Sequence, residues 1–160
     1  MEEALVTGVA LDKNQVVVTL REVPDRPGVA AEIFGALGAA HVNVDMIIQS
    51  SAHGGTNAIS FTLETGDLRA AKRSLQSLRS RWKTSLETSQ PVAKVSIVGV
   101  GMRSHSGVAG TMFGALADHK INIQMIATSE IKISCVIDRK DGERAVRALH
   151  SAFGLSGSKH

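Results

Sequence analysis

Several residue types are scarce in this chain, and each scarcity excludes a class of protein. The 160 residues include one cysteine, one tryptophan, four phenylalanines and no tyrosine. A single cysteine, Cys135, excludes an internal disulfide and fits a reducing compartment, so we expect a cytoplasmic protein. No apolar run approaches the roughly 18 residues of a membrane helix. The acidic start, MEEALVTG, has none of the regions of a signal peptide, and we therefore predict no membrane partner.

Catalytic and metal-binding patterns are also missing. None of the six histidines stands in an HxxxH or HExxH spacing, and no cysteine joins them, so we predict no metal site. The chain has no GxxxxGK[ST] motif, and Gly107 follows Gly99-Val100-Gly101 too late for a dinucleotide loop. Ser104 and His105 are neighbours in a predicted loop and have no orienting carboxylate. We predict no catalytic residue and no cofactor in this chain.

Charge and aromatic content do not favour nucleic acid as a partner. The net charge of +3 comes largely from one predicted helical stretch with Arg69, Lys72, Arg73, Arg79, Arg81 and Lys83. A nucleic-acid surface is one interpretation, but we prefer a solvated helix face, because surface helices are normally charged. An RNA-binding sheet exposes aromatic side chains, and Phe61 is the only aromatic residue in a predicted strand. We predict no nucleic-acid partner.

What the chain does contain is an internal repeat. Residues 28–51 read GVAAEIFGALGAAHVNVDMIIQSS, and residues 107–130 read GVAGTMFGALADHKINIQMIATSE. An offset of 79 positions superposes them without a gap. The identical residues of the first copy are Gly28, Val29, Ala30, Phe34, Gly35, Ala36, Leu37, Asn43, Met46, Ile47 and Ser50. A repeat of this length indicates two copies of one module, and we expect function to lie where copies meet.

Each copy has the pattern of a β-α-β-β-α-β module. In the first copy we predict strands at 16–20, 42–50 (largely buried), 59–64 and 84–89, with helices from Pro27 and from Asp67 to Trp82. In the second copy we predict strands at 95–100, 121–129 and 131–138, with helices at 107–119 and 141–153. The fold class is therefore α+β: two ferredoxin-like βαββαβ domains, each an antiparallel sheet with both helices on one face.

The second copy has no fourth strand of its own, because GLSGSKH follows its last helix. The first copy, however, is preceded by a spare apolar segment, LVTGVALD at 5–12. We predict that this segment completes the second sheet. One domain would then be 16–90, inserted into a second domain made of 1–15 plus 91–160.

The turn before the first helix, VPDRPG at 23–28, is the strongest candidate site. Free amides and the dipole at a helix start favour an anion, and Gly28 has no side chain to block its approach. Asp25 beside it could hold an ammonium group, so a free amino acid suits the turn. The alternative is that Asp25 only caps the helix and Pro27 only begins it.

Two asparagines occupy the same position of the repeat. Asn43 and Asn122 both stand where a strand is predicted to start, although asparagine is depleted in strands. They either bond across a sheet edge or are ordinary turn residues.

Several segments, in this order, resemble one family. PDRPGVAAEIF, NVDMIIQ, KVSIVGVGM, SHSGV and ATSEIKISCVI are similar to the tandem ACT domains in the regulatory half of aspartate kinase, especially the type made as a separate small subunit. The resemblance covers essentially the whole chain. It implies a sensor that binds end-product threonine, lysine or both, for feedback inhibition in lysine, threonine and methionine biosynthesis. ATP and magnesium would belong to the catalytic half, which this chain lacks.

The resemblance also implies the site residues. The threonine site would comprise Asp25, Pro27, Gly28, Ala30, Gln49, Asn122 and Ile123. A lysine-type site would comprise Asp45, His105, Gly107, Val108, Ser129 and Glu130. Because Ser104 stands where the first copy has Asp25, the second turn is less well equipped for an ammonium group.

The partners expected from the resemblance are the catalytic subunit and a second copy of this chain, since a half-site on each chain needs a partner. The alternative function is a ligand-free ACT dimerisation module that stabilises the kinase assembly. An independent enzyme is a third class, which activity of the isolated chain would reveal.

Overall fold

The computed structural model describes residues 5–50, 54–100 and 106–155, and these divide into two compact units. The central unit is Asn14–Pro91, and the terminal unit combines the segments on either side of it. The first strand, β1 (Leu5–Pro24), crosses the boundary, so its first part belongs to the terminal unit and its second part to the central unit.

The central unit has the strand order β2-β3-β1-β4, and every one of these neighbouring pairs is antiparallel. After β1 its elements are α1 (Val29–Ala39), β2 (Val44–Gln49), β3 (Thr56–Glu64), α2 (Leu68–Ser74), α3 (Gln76–Trp82) and β4 (Ser85–Thr88). This is the ferredoxin-like order.

One apolar cluster holds the central unit together. Alternate residues of two strands and the residues on one side of each helix contribute to this cluster, as the side-chain periods of strands and helices require. Its buried members include Val18, Leu20, Ile59, Phe61, Leu63, Val29, Ile33, Leu37, Ala71, Leu75 and Leu78. Phe34 packs edge-to-face on Phe61, with ring centroids 5.6 Å apart. Because α1, α2 and α3 all contribute to this single cluster, the helices cover one face of the sheet.

The terminal unit repeats this plan with β1 in the place of a fourth strand, in the order β1-β5-β7-β6. Its other elements are β5 (Val92–Val100), α4 (Ser106–Asp118), β6 (Met125–Thr128), β7 (Lys132–Asp138) and α5 (Gly142–Ala152). β7 is antiparallel to both β5 and β6. The buried core consists of Val6, Ala93, Val95, Ile97, Met112, Leu116, Ile121, Ile133, Cys135, Ile137, Ala145 and Leu149. The α+β, ferredoxin-like fold class is confirmed.

Polar contacts attach the first part of β1 to the terminal unit. The Thr7 hydroxyl donates to the carbonyl of Val98 at 3.2 Å. Lys13 Nζ lies 2.9 Å from Glu143 Oε2 on α5. Gly142 is also tightly placed, because a Cβ there would meet the side chain of Leu11 at 3.2 Å.

The helix predicted from Asp67 to Trp82 is wrong in detail, because it is interrupted. A 3-10 turn at Thr65–Asp67 precedes α2, and α2 and α3 are separated at Leu75. The Ser74 hydroxyl donates to the carbonyl of Ala71 at 3.0 Å, which also accepts the amide of Leu75. A side chain that competes for a helix carbonyl in this way bends the helix.

Two predicted strands also differ from the structure. β2 is shorter than 42–50, and it is mostly exposed rather than buried, with only Met46 inside. It pairs with β3 alone among the described strands, and its residues Ile47 and Ile48 are exposed by 54% and 37%. In the terminal unit, β6 begins at Met125 rather than at residue 121, because 121–124 run as irregular chain.

Within the described ranges, no helix is long and apolar enough to cross a membrane. The same residues contain no group of three or more histidine, cysteine, aspartate or glutamate side chains placed to hold a metal. Cys135 is a buried free thiol, and burial raises its pKa to about 12. It is therefore a packing residue rather than a nucleophile.

Candidate functional site

The central unit has a cavity of about 230 Å³ where β1 ends and α1 begins. The turn after β1 forms one side, and the adjoining ends of β2 and β3 form the other. Its lining residues are Pro24, Asp25, Arg26, Pro27, Gly28, Val29, Ala30, Gln49, Asn57 and Ile59. The structure thus brings together Asp25, Pro27, Gly28, Ala30 and Gln49, the central-unit members of the predicted threonine site.

Gly28 gives the turn its shape. It has φ +93°, a left-handed conformation that residues with a Cβ rarely adopt. Its carbonyl accepts the amide of Glu32 at 3.0 Å, and Gly28, at the N-cap of α1, has no side chain with which to cap the helix. The first amides of a helix have no intrahelical partner and carry the positive end of its dipole. Ala30, in this first turn, therefore offers an anion-binding edge to the cavity.

The helix-cap interpretation of Asp25 is wrong. Its Oδ1 accepts from Asn57 Nδ2 at 3.4 Å, and its amide donates to the carbonyl of Gly55 at 3.1 Å. Pro27 is not the first helical residue either, because α1 begins at Val29. Asp25 is instead an exposed carboxylate held at the cavity by the start of β3.

Asn57 also lines the cavity, although it is not among the site residues predicted from the sequence. Its side chain is 7% exposed, and its Oδ1 has no hydrogen-bond partner in the described structure. A buried acceptor without a donor costs about 1–3 kcal/mol, so a donor from a ligand in the cavity would relieve that cost. No signal in the sequence singled it out, because Asn57 lies just before the strand predicted at 59–64, where an asparagine is an ordinary loop residue.

The far wall of the cavity is fixed by the pairing of β2 with β3. Gln49, the last residue of β2, stands opposite Ile59, which is buried. The next residue, Ser50, binds Ala58 through both its amide and its hydroxyl, with distances of 2.9 to 3.3 Å. Gln49 therefore presents an amide side chain, and Ile59 an apolar surface, at positions that the sheet holds.

The remaining predicted threonine residues lie in the terminal unit. Asn122 is exposed and Ile123 is half-buried against the core, in the irregular segment before β6. The next amide, of Gln124, donates to Val136 at 2.7 Å, which attaches this segment to β7. Asn43 likewise precedes β2, so both repeated asparagines stand outside regular strands.

The predicted lysine residues are distributed over both units. Gly107 and Val108 are in the first turn of α4, and Ser129 and Glu130 form the turn between β6 and β7, where the Ser129 amide donates to Lys132 at 2.8 Å. Asp45 is exposed on β2 of the central unit. His105 lies outside the described residues.

A larger hollow of about 570 Å³ lies elsewhere on the central unit, lined by Thr65, Gly66, Leu68, Arg69 and Lys72. It contains none of the predicted site residues, and its two cations are on the exposed face of a short helix. The smaller cavity, with its buried amide oxygen and its helix start, is the better candidate site.

Comparison with known proteins gives a consistent result. The ACT domain family matches this chain twice, at residues 16–81 and at residues 95–153. The chain is 50% identical to the aspartokinase of Helicobacter pylori over 155 residues, and 45% identical to that of Corynebacterium glutamicum over 161 residues. These alignments cover 97% and 98% of this chain but only 38% of either relative, so the chain spans under two fifths of their length.

Solved structures extend the comparison to the fold. The regulatory subunit of aspartate kinase from Thermus flavus is 40% identical, with a TM-score of 0.86 over 93% of this chain and 99% of that one. A structure of aspartokinase alpha and beta subunits contains a chain that is 50% identical, with a TM-score of 0.85 over 94% of this chain and 99% of that chain.

Proposed function

Because this chain belongs to the ACT-domain regulatory part of the aspartate kinase family, we propose that it is an amino-acid sensor whose cavity beside α1 binds threonine. The observation that carries the proposal is the composition of that cavity. A carboxylate, a buried amide oxygen without a donor and a helix start meet around about 230 Å³. That volume is below the roughly 300–1,000 Å³ of sites for drug-sized ligands.

Each group of threonine has a complement in the cavity. The ammonium group would donate to the Asp25 carboxylate and to Oδ1 of Asn57, and the carboxylate would accept from amides at the start of α1. Ile59 supplies an apolar surface for the methyl group, and Gln49 supplies an amide for the hydroxyl group.

We propose that Asn122 and Ile123 complete the site when a second copy of the chain is present. Isoleucines at one repeat position are exposed on outer strands of both units: Ile47 by 54% on β2 and Ile126 by 42% on β6. Unpaired apolar edges favour association with another sheet. A homodimer would cover them, and association with a catalytic subunit fits the similarity to a chain solved among aspartokinase alpha and beta subunits.

Feedback inhibition would then follow from differential binding. Threonine can favour the paired arrangement only by the difference in its affinity for the paired and unpaired states. A few kcal/mol of such coupling suffices to shift the populations of two conformations by orders of magnitude. We also propose that the inhibited reaction is the phosphorylation of aspartate and that the protein is cytoplasmic.

Lysine is proposed as a second effector, acting at Asp45, His105, Gly107, Val108, Ser129 and Glu130. The alternative function is a dimerisation module without a ligand, which the same exposed isoleucines support. The two functions differ in whether an amino acid binds at all.

Calorimetric titration of the purified chain separates them. The chain would be titrated with threonine, then with lysine, and then with each in the presence of the other. Methionine serves as the matched amino-acid control. Heat with threonine alone or with both effectors supports the sensor. Absence of heat with both, together with absence of threonine inhibition after assembly with a catalytic subunit, would leave the dimerisation module.

A further inference from the structure

The only tryptophan of the chain contacts a charged side chain of the cavity turn. Trp82 is the last residue of α3. The guanidinium carbon of Arg26 lies 5.9 Å from the centroid of its ring, and that of Arg81 lies 5.6 Å away. Both distances are within the about 6 Å range of cation–π attraction.

The two arginines differ in their other partners. Arg81 Nη2 is 3.2 Å from Glu32 Oε1, in the first turn of α1. Arg26 forms no ion pair with any residue in the described ranges, and it lines the cavity. The contacts therefore run from the cavity through Arg26, Trp82 and Arg81 back to the helix whose start borders the cavity.

Trp82 is well placed to act as a fixed support. It packs against the buried cluster of the central unit. The chain just after it is held by Thr84, whose amide donates to Arg79 at 3.1 Å and whose hydroxyl donates to Glu22 at 3.2 Å. The cavity turn, in contrast, is exposed from Asp25 to Gly28.

We propose that Trp82 is a positioning residue for the effector site: its ring holds Arg26, and thereby the turn and its positive charge, in the arrangement that receives the carboxylate of an amino acid. The proposal rests on the proposed function for the identity of the ligand. Holding a turn in its bound arrangement before the ligand arrives raises affinity, because less ordering remains to be done on binding.

Calorimetry with threonine tests the effect on affinity. Trp82→Leu should weaken binding roughly threefold to tenfold, whereas Trp82→Phe, which keeps a ring under Arg26, should stay within about twofold of the original chain. Leu86→Ala is the matched control, because Leu86 packs against the same cluster but has no part in the arginine contacts. It should lower the melting temperature and leave threonine affinity unchanged.

A spectroscopic measurement isolates the Arg26 contact. Trp82 is the sole tryptophan, so its fluorescence reports this place alone. Threonine should change the emission of the original chain and of Arg26→Lys, and the change should disappear in Arg26→Ala. If Trp82→Leu does not fold, the comparison of Arg26→Ala with Arg26→Lys tests the same contact.

Hydrogen exchange without ligand separates this inference from the proposed function. The amides of Val29 and Glu32, which donate to the carbonyls of Arg26 and Gly28, should exchange faster in Trp82→Leu and Arg26→Ala than in Trp82→Phe, Arg26→Lys or Leu86→Ala. Equal exchange in all variants would overturn the positioning role, whether or not threonine binds. Faster exchange in a chain that binds no threonine would support the positioning role and contradict the effector assignment.

Discussion

The two copies of the repeat share one fold and differ in sequence at the turn before the first helix, where Ser104 stands in place of Asp25. In each copy a hydrogen bond between two hydroxyl groups joins the two inner strands. Thr19 pairs with Ser60 at 2.8 Å in the central unit, and Ser96 pairs with Ser134 at 2.7 Å in the terminal unit. Ile59-Ser60 corresponds to Ile133-Ser134 at an offset of 74. Asn57 therefore corresponds to Ile131, an exposed apolar residue. The comparison teaches that the core of this module is repeated independently of the residues that line the candidate cavity.

A second difference lies in the strand that leads into the turn. β1 has a bulge between Leu20 and Val23 in its pairing with β3, and Glu22 there has φ +60°. β5 pairs with β7 without interruption from Val92 to Val98. Bulges redirect the end of a strand. In the central unit, the bulge places Val23 opposite Asn57, which is the residue whose amide reaches the cavity.

The largest expected effect comes from removing the carboxylate that only the central turn has. Asp25→Ala should weaken threonine binding about 100-fold, because a charge-assisted contact to the ammonium group is lost. Asn122→Ala should weaken binding to a comparable extent, because in the proposed site this residue of a second copy completes the cavity. Calorimetry measures both, and thermal unfolding checks that the fold is kept. Glu87→Gln is the matched control, because Glu87 is an acidic residue of the same unit that pairs with Arg21 away from the cavity. This variant should bind threonine with the affinity of the original chain. Original affinity in both Asp25→Ala and Asn122→Ala would contradict the site.

The next largest effect is expected from exchanging Asn57 and Ile131, the corresponding residues that differ between the two copies. Asn57→Ile should reduce threonine affinity about tenfold, since an acceptor for the ligand is removed. The same change should leave the free energy of unfolding unchanged or raise it by about 1 kcal/mol, because it removes a buried polar atom without a partner and only one long hydrogen bond, to Asp25 at 3.4 Å. Ile131→Asn in the terminal unit should change neither property. Denaturant unfolding and calorimetry on both variants provide the measurement, and a loss of stability in Asn57→Ile would show that the amide is structural.

These differences also show why the sequence predicts the fold better than the site. The strand and helix periods depend on residues close in sequence, so the module and its class could be predicted. The exposure of β2 could not, because an apolar strand looks the same at an edge as in the middle of a sheet. The contact between Asp25 and Asn57 joins residues 32 positions apart, and a local pattern that allows a helix cap does not reveal that a distant amide competes for the same carboxylate.

A smaller effect, on the free energy of unfolding, is expected from replacing Gly28 or Gly107, the glycines at one repeat position. The effect should have opposite signs in the two copies. Gly28 precedes α1 with φ +93°, whereas Gly107 lies within α4 and has no positive φ. Neither has an atom within 4 Å of an added Cβ. Gly28→Ala should therefore destabilise by about 1–2 kcal/mol through backbone strain alone. Gly107→Ala, in the first turn of α4, should stabilise by less than the about 0.5–1 kcal/mol found in a helix interior. Denaturant unfolding of the two variants gives both values, and equal signs would mean that the two helix starts do not differ as described.

The smallest effect concerns the ion pair that attaches β1 to the terminal unit. The hydrogen bond and charge of Lys13 lower the pKa of Glu143 below its ordinary value of 4.5, with a further contribution from the charge of Arg147. A carboxyl group whose pKa is lower in the folded state stabilises that state above its unfolded pKa, and the contribution is lost as the pH falls through the folded pKa. The dependence should thus appear only below about pH 4.5. It should be slight, because both side chains are exposed to solvent and screened.

Lys13→Met tests this pair. NMR titration should show the pKa of Glu143 moving back toward 4.5, while Arg21→Met, which breaks the exposed ion pair with Glu87 in the central unit, should leave Glu143 unchanged. The stability curves of the original chain and Lys13→Met should converge in acid, once Glu143 is protonated in both. An unchanged pKa of Glu143 in Lys13→Met would mean that the first part of β1 is not held against α5 in solution. The terminal copy would then need another partner for its sheet, whereas the central copy, with β4 in its own sequence, would not.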